Sequence, residues 1–129
     1  IKFINDSKAT NPDSAQKAIE AIKEPIVLIA GGYDKKSDYT GFVKALCGKV
    51  KKLILIGETA DAIEEAAKKE GFFDIEKTDT LPQAVKLAYR AAKPGDVVLL
   101  SPACASWDMF ENFEERGRVF KETVYSLKA

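Results

Sequence analysis

The chain has 129 residues, enough for one domain with a sizeable core, and its 46% hydrophobic and 31% charged content is that of ordinary globular proteins. Twenty Lys and Arg balance twenty Asp and Glu, so no basic surplus announces nucleic acid, the apolar runs are too short to span a membrane, and no signal peptide is expected. The absence of histidine excludes His metal sites, Cys–His dyads and Ser–His–Asp triads together, and two cysteines, Cys47 and Cys104, are too few for a disulfide scaffold, so a reducing cytoplasm is expected.

Lys2-Phe3-Ile4 reads as a short strand. The polar loop 5–11 follows, with Asn11 as helix N-cap and Pro12 at the first helical position. The helix Asp13–Lys23 puts Ala18, Ile19 and Ile22 on one face, and Ile26–Ala30 is a fully apolar strand closed by Gly31-Gly32. A charged loop, Tyr33 to Asp38, leads to a short helix Tyr39–Leu46 with Phe42, Val43 and Leu46 inward. Leu53–Ile56 is the third apolar strand, ending at Gly57. The helix Thr59–Glu70, capped by Thr59, stops at Gly71. Asp74–Lys77 is a weak edge strand, and Leu81–Ala92 is a helix closed by Lys93-Pro94-Gly95.

Val97–Leu100 is the most apolar strand and the centre of the pattern. It breaks into the small residues Ser101-Pro102-Ala103-Cys104-Ala105-Ser106, and a helix is expected from about Trp107, with Asp108 and Glu111 at its positive end. The last segment, Arg118–Leu127, alternates Val119/Phe120 with Val124 and Leu127. Strands separated by helices at this spacing imply βαβ units. The expected fold is a single α/β domain over residues 1–129, a Rossmann-like, mostly parallel sheet flanked by helices. In such a sheet the strand ends Asn5-Asp6-Ser7, Gly31-Gly32, Gly57 and Ser101-Pro102 gather along one edge, where ligands bind. Asp6, Lys8, Lys35, Lys36 and Asp38 would then share one cleft.

Lys8 and Thr10 sit between a strand end and a helix start, a place suited to anions. Gly31-Gly32 lacks the third glycine of a dinucleotide fingerprint, and no phosphate loop is present. Of Lys35 and Lys36, one at most is expected to be a ligand. Ser106 fits a helix N-cap whose hydroxyl and nearby N–H groups could meet a carboxylate. Cys104 sits in a strand-to-helix turn like that of a nucleophile, but with no histidine to activate it, a small buried residue is the better reading. Trp107, Phe110 and Phe113 at helical spacing read as core.

Asn5-Asp6-Ser7-Lys8-Ala9-Thr10-Asn11, Gly31-Gly32-x-x-Lys35, Leu100-Ser101-Pro102-Ala103-Cys104-Ala105-Ser106 and Phe110-x-Asn112-Phe113-x-x-Arg116-Gly117 together resemble the C-terminal domain of the Mur ligases. The missing histidines favour the D-glutamate-adding branch, because sister ligases typically carry an Asp-Tyr-x-His-type loop where this chain has Asp6-Ser7-Lys8. The resemblance implies an ATP-dependent ligase of peptidoglycan precursor assembly. ATP would phosphorylate the carboxylate of UDP-N-acetylmuramoyl-L-alanine, and the amine of D-glutamate would attack the acyl phosphate. Carried over by motif, Thr10, Lys35, Ser106, Trp107 (through its backbone) and Phe113 would hold the D-glutamate carboxylates, and Asp6 and Lys8 would face the nucleotide. No residue here is expected to be catalytic or to bind metal. ATP and Mg2+ would be held mainly by a central domain, with an N-terminal domain holding the UDP-sugar. The chain begins at Ile1 on a strand, and the expectation is an excised, monomeric, cytoplasmic C-terminal domain, inactive alone. The competing expectation is a stand-alone α/β small-anion-binding or regulatory module.

Overall fold

In the computed structural model, residues 1–33 and 35–127 are described. Asp34, within the expected loop Tyr33 to Asp38, lies outside them. Five strands, β1 (Lys2–Asn5), β2 (Ile26–Ala30), β3 (Val50–Leu55), β4 (Ile75–Lys77) and β5 (Val97–Leu100), form one sheet in the order β1-β5-β2-β3-β4. Every pairing is parallel, as the βαβ spacing requires.

The helices are α1 (Pro12–Ala21), α2 (Thr40–Leu46), α3 (Ala60–Lys69), α4 (Leu81–Ala91) and α5 (Phe113–Ser126). Crossovers from β1 to β4 all step the same way across the sheet, whereas the connection through α4 steps back to place β5 between β1 and β2. Because parallel crossovers are right-handed, reversing the step moves α4 to the opposite face. The core divides accordingly. Ala15 and Ile19 of α1, Phe42, Val43 and Leu46 of α2, and Ile63 and Ala67 of α3 cover Leu28, Leu53 and Leu99. Leu81, Val85 and Ala88 of α4, with Phe120 and Val124 of α5, cover Val27, Ile29, Ile54 and Val98 on the other face. Alternate residues of β2 and β5 thus serve opposite layers, which explains their unbroken apolar runs.

Local caps fall largely where the side chains dictate. Asn11 accepts the Ser14 N–H at 2.9 Å, with Pro12 opening α1. Gly71, at φ 86°, terminates α3. β4 is the expected short edge strand, and β3 begins three residues earlier than its apolar run because Lys51 and Lys52 lie within it. Val50 and Leu53 nonetheless face one layer, since the β2–β3 register shifts at Ile26/Val27.

Three expectations are corrected. Thr59 makes no side-chain cap to α3; its hydroxyl is used elsewhere, as described below. No α-helix starts at Trp107: residues 106–112 form turns, and α5 begins at Phe113 with Asn112 accepting the Glu115 N–H at 2.8 Å. Ser106 therefore caps no α-helix, Asp108 and Glu111 precede α5, and Arg118–Leu127 belongs to that same continuous helix. The reading of Trp107 and Phe113 as core fails with it, since they are 62% and 41% exposed; Phe110 alone packs on the core. Among the described residues no helix is long and apolar enough to cross a membrane.

Candidate functional site

The parallel sheet brings the ends of β1, β5, β2 and β3 to one edge, and main-chain hydrogen bonds join their loops side by side. Asp6 N–H donates to Leu100 O (2.8 Å) and Ala103 N–H to Ala9 O (3.0 Å), joining the loop after β1 to the loop after β5. Gly31 N–H donates to Pro102 O (2.9 Å) and Tyr33 N–H to Ala105 O (2.8 Å), joining β5's loop to β2's. Thr59 N–H donates to Gly32 O (3.2 Å), adding the turn after β3. The result is a rigid rim carrying exposed polar groups, the arrangement that suits a binding site on a fixed scaffold.

Lys35 and Trp107, expected in one site from distant segments, meet on this rim. The Lys35 ammonium stands 5.1 Å from the Trp107 ring centroid, and Tyr33 packs edge-on against the same ring at 5.5 Å. An exposed cation–π contact of this kind is worth about 0.5–1 kcal/mol; it orients the lysine while leaving its donors available. Ser106 is buried beside Trp107, and its carbonyl accepts from the Met109 and Phe110 N–H groups at 3.1 and 2.8 Å, closing the turn. Thr10 is half-buried, its N–H on Lys8 O (2.9 Å) in the loop that Ala9 pins to Ala103.

Asp6, Lys8 and Phe113 lie toward the β1 side. Asp6 accepts from the Ser101 hydroxyl at 2.9 Å. Lys8 is exposed and borders two depressions. One is shared with Asp6, Ser14 and Lys17; the other, of about 430 Å³, with Asn5, Phe113, Arg118 and Lys121. Phe113 thus shares a depression with Lys8, while its carbonyl accepts the Ser7 hydroxyl at 2.6 Å. Lys36 stands at φ 60°, in the left-handed region.

Beneath the rim is a layer of polar contacts that includes residues with no role in the sequence reading. Thr59 Oγ1 accepts the Gly32 N–H at 3.0 Å and lies 3.3 Å from Cys104 Sγ, which also contacts Tyr39 Oη at 3.5 Å. Burial pushes the Cys104 thiol up, outweighing the hydrogen bonds of Thr59 and Tyr39, which favours the less reactive thiol form at neutral pH. A thiol-labelling reagent should therefore modify Cys104 of the folded chain far more slowly than the exposed Cys47. Equal labelling rates at the two cysteines would overturn this.

Asp108 Oδ2 accepts the Glu58 N–H at 3.0 Å, while Oδ1 is buried without a hydrogen-bond partner. Desolvation by burial raises its carboxyl above the ordinary value, against the Glu58 hydrogen bond. Arg116 is 1% exposed, under the loops of β1 and β5. Its sequence signal was available: it lies between Phe113 and Phe120 on the inward stripe of α5, an odd place for a guanidinium. Among the described residues, no group of three or more Cys, Asp or Glu side chains is placed to hold a metal ion.

A five-stranded parallel sheet covered by helices on both faces defines an α/β domain of the Rossmann-like class. The chain belongs to the Mur ligase family, matching the family described as "Mur ligase, glutamate ligase domain" over residues 1–104. It is 64% identical over 130 residues to the UDP-N-acetylmuramoylalanine–D-glutamate ligase of Thermoanaerobacter sp. (strain X514), covering 99% of this chain and 29% of that protein. Against the ligase of the same name from Clostridioides difficile (strain 630) it is 53% identical over 128 residues, with 99% and 28% covered. The chain thus spans under a third of the length of these relatives. Among solved structures, UDP-N-acetylmuramate-alanine ligase from Thermotoga maritima matches in fold, with a TM-score of 0.58 and 19% identity over 90% of this chain and 25% of that one.

Proposed function

We propose that this chain is the C-terminal, amino-acid-binding domain of an ATP-dependent, cytoplasmic ligase that joins D-glutamate to UDP-N-acetylmuramoyl-L-alanine. The observation that carries the reading is the 64% identity across 99% of the chain, which runs past the family match at residue 104 into the segment bearing Ser106, Trp107 and Phe113.

In this reaction the γ-phosphoryl group of ATP passes to the substrate carboxylate, and ADP leaves. The amine of D-glutamate, having lost a proton, attacks the acyl carbon. A tetrahedral intermediate then breaks its C–O bond, expelling inorganic phosphate and leaving the amide. The work assigned to this domain is to hold the nucleophile in line, which converts an encounter into an oriented attack. D-glutamate carries two carboxylates, and the rim offers matching donors: the Lys35 ammonium, the Thr10 and Ser106 hydroxyls, and the backbone at Trp107. Phe113 supplies an apolar wall on the side of Lys8. Asp6 and Lys8 face the nucleotide, as hydroxyl acceptor and phosphate cation respectively. Magnesium is assigned no ligand on this chain.

The sequence contains no Gly-Lys-Ser/Thr phosphate loop. The 129-residue chain by itself should therefore release no phosphate from ATP and bind D-glutamate weakly. A coupled phosphate-release assay tests both halves of the reading. The full-length protein should release phosphate only when D-glutamate and UDP-N-acetylmuramoyl-L-alanine are both present. Turnover by the short chain, or a full-length protein indifferent to D-glutamate, would sink it. The latter result would favour the regulatory-module reading.

A further inference from the structure

Arg116 is the largest side chain in the fully buried interior, and the proposed reaction gives it nothing to do. Its guanidinium donates from Nε to Ser7 Oγ (3.0 Å), from Nη2 to Ser7 O (2.7 Å) and from Nη1 to Cys104 O (2.9 Å). Ser7 Oγ in turn donates to Phe113 O (2.6 Å). All three acceptors are neutral oxygens, and no carboxylate of the described residues forms an ion pair with it. A Cβ on Gly32 would come within 3.4 Å of Nη1, so the group also lies against the β2 loop.

A buried cation whose direct contacts are all neutral oxygens is costly to keep, since its desolvation is repaid only by those hydrogen bonds and by the attraction of the Asp108 carboxylate beyond hydrogen-bond range. Desolvation lowers its pKa to about 10, so it remains charged at neutral pH. A methionine or leucine would fill the same space without that cost, so the hydrogen-bond geometry is what the position uses. A planar fork with donors on three nitrogens can bridge two chain segments at a set distance, which an ammonium cannot do.

Resting on the ligase reading above, we infer that Arg116 is a positioning residue that sets the spacing between the amino-acid side and the nucleotide side of the site. Ser7 precedes Lys8 and follows Asp6; Cys104 lies two residues before Ser106; Phe113 begins the helix that bears Arg116. One guanidinium thus ties together three segments on which six of the seven assigned ligand residues depend, Asp6, Lys8, Thr10, Ser106, Trp107 and Phe113. Lys35 alone reaches the rim from β2. The consequence separates Arg116 from any single ligand residue. Its loss should disturb D-glutamate and ATP together, whereas loss of Lys35 disturbs D-glutamate alone.

The test uses Arg116→Lys and Arg116→Gln in the full-length protein, with each substrate varied in turn. Both variants should lower kcat/KM for D-glutamate and for ATP by about ten- to a hundredfold, the scale of misplacing a reacting group by an ångström. Lysine should not rescue. Ser7→Ala, which removes the acceptor of Arg116 Nε and the hydroxyl relay to Phe113 but leaves the bonds to Ser7 O and Cys104 O, should show the same two-substrate pattern more weakly and covers the case in which the Arg116 variants do not fold. Amide hydrogen exchange on this chain supplies a readout independent of activity. Exchange should quicken at Asp6, Tyr33 and Ala103, whose N–H groups join the loops, while β2 and β3 keep their protection. Equal loss of protection throughout the sheet, or kinetics within twofold of the parent for both substrates, overturns the inference. A parent protein that ignores D-glutamate overturns the ligase reading instead, and the exchange pattern still decides the role of Arg116.

Discussion

Lys35→Ala in the full-length protein is expected to raise the D-glutamate KM by about ten- to a hundredfold while leaving the KM values for ATP and the UDP-sugar nearly unchanged. The range comes from removing one charge-assisted hydrogen bond, roughly 1.5–3 kcal/mol, at tenfold per 1.4 kcal/mol. Lys35 is exposed on the rim, with its ammonium 5.1 Å over the Trp107 ring. It is therefore oriented yet open to a carboxylate. Arginine should not restore full use of D-glutamate. Its planar fork would stack on the indole and approach the carboxylate from another direction than a compact ammonium. Lys36→Ala is the control. One lysine of the pair is assigned to the carboxylate, so removal of Lys36 should change little. If Lys36→Ala proves the damaging change, the carboxylate partner has been misassigned; if neither matters, the carboxylates bind elsewhere on the rim.

Gly31→Ala is expected to be the most destructive single-methyl change in the chain. At φ 108°, Gly31 occupies backbone space that L side chains rarely adopt, and an added Cβ would stand 2.0 Å from the carbonyl oxygen of Ile56. That oxygen belongs to backbone at the end of β3 and cannot swing aside as a flexible side chain would. Backbone strain of about 1–3 kcal/mol adds to a comparable overpacking cost, roughly 2–6 kcal/mol together. This is a large share of the 5–15 kcal/mol that holds a typical domain folded. Urea denaturation should show a greatly lowered midpoint or no folded baseline. Gly48→Ala, at φ 82° with nothing within 4 Å of its Cβ, isolates the conformational part and should cost less. Equal midpoints for the two variants would mean that the Ile56 contact is not limiting.

The amino-acid sequence sets the elements whose signals are local. β2 and β5 follow from runs too apolar to face water on either side. The start of α1 follows from Asn11-Pro12, and the end of α3 from Gly71. It also determined the class of fold, because strand–helix alternation at short spacing leaves little besides parallel pairing. The seven candidate ligand residues rest on family-like motifs; six fall in loops that follow strands, and Phe113 opens α5.

Tertiary structure alone decided where the competing local signals fell. Ser106 and Asn112 both carry an oxygen able to cap a helix. Asn112 caps α5 because the main chain of Ala105 is paired to Tyr33 and Asp108 is held by the Glu58 N–H, leaving residues 106–112 as turns. Thr59 could cap α3, but its hydroxyl meets the Gly32 N–H instead, a partner 27 positions away that no local pattern reveals. The placing of β5 between β1 and β2 was likewise not readable, since apolar runs of similar composition carry no address for their neighbours. Arg116 is the clearest case. On its own helix it is a cation among aromatic residues; only the meeting of Ser7 and Cys104 over α5 gives its N–H groups their acceptors, and with them a reason to be buried.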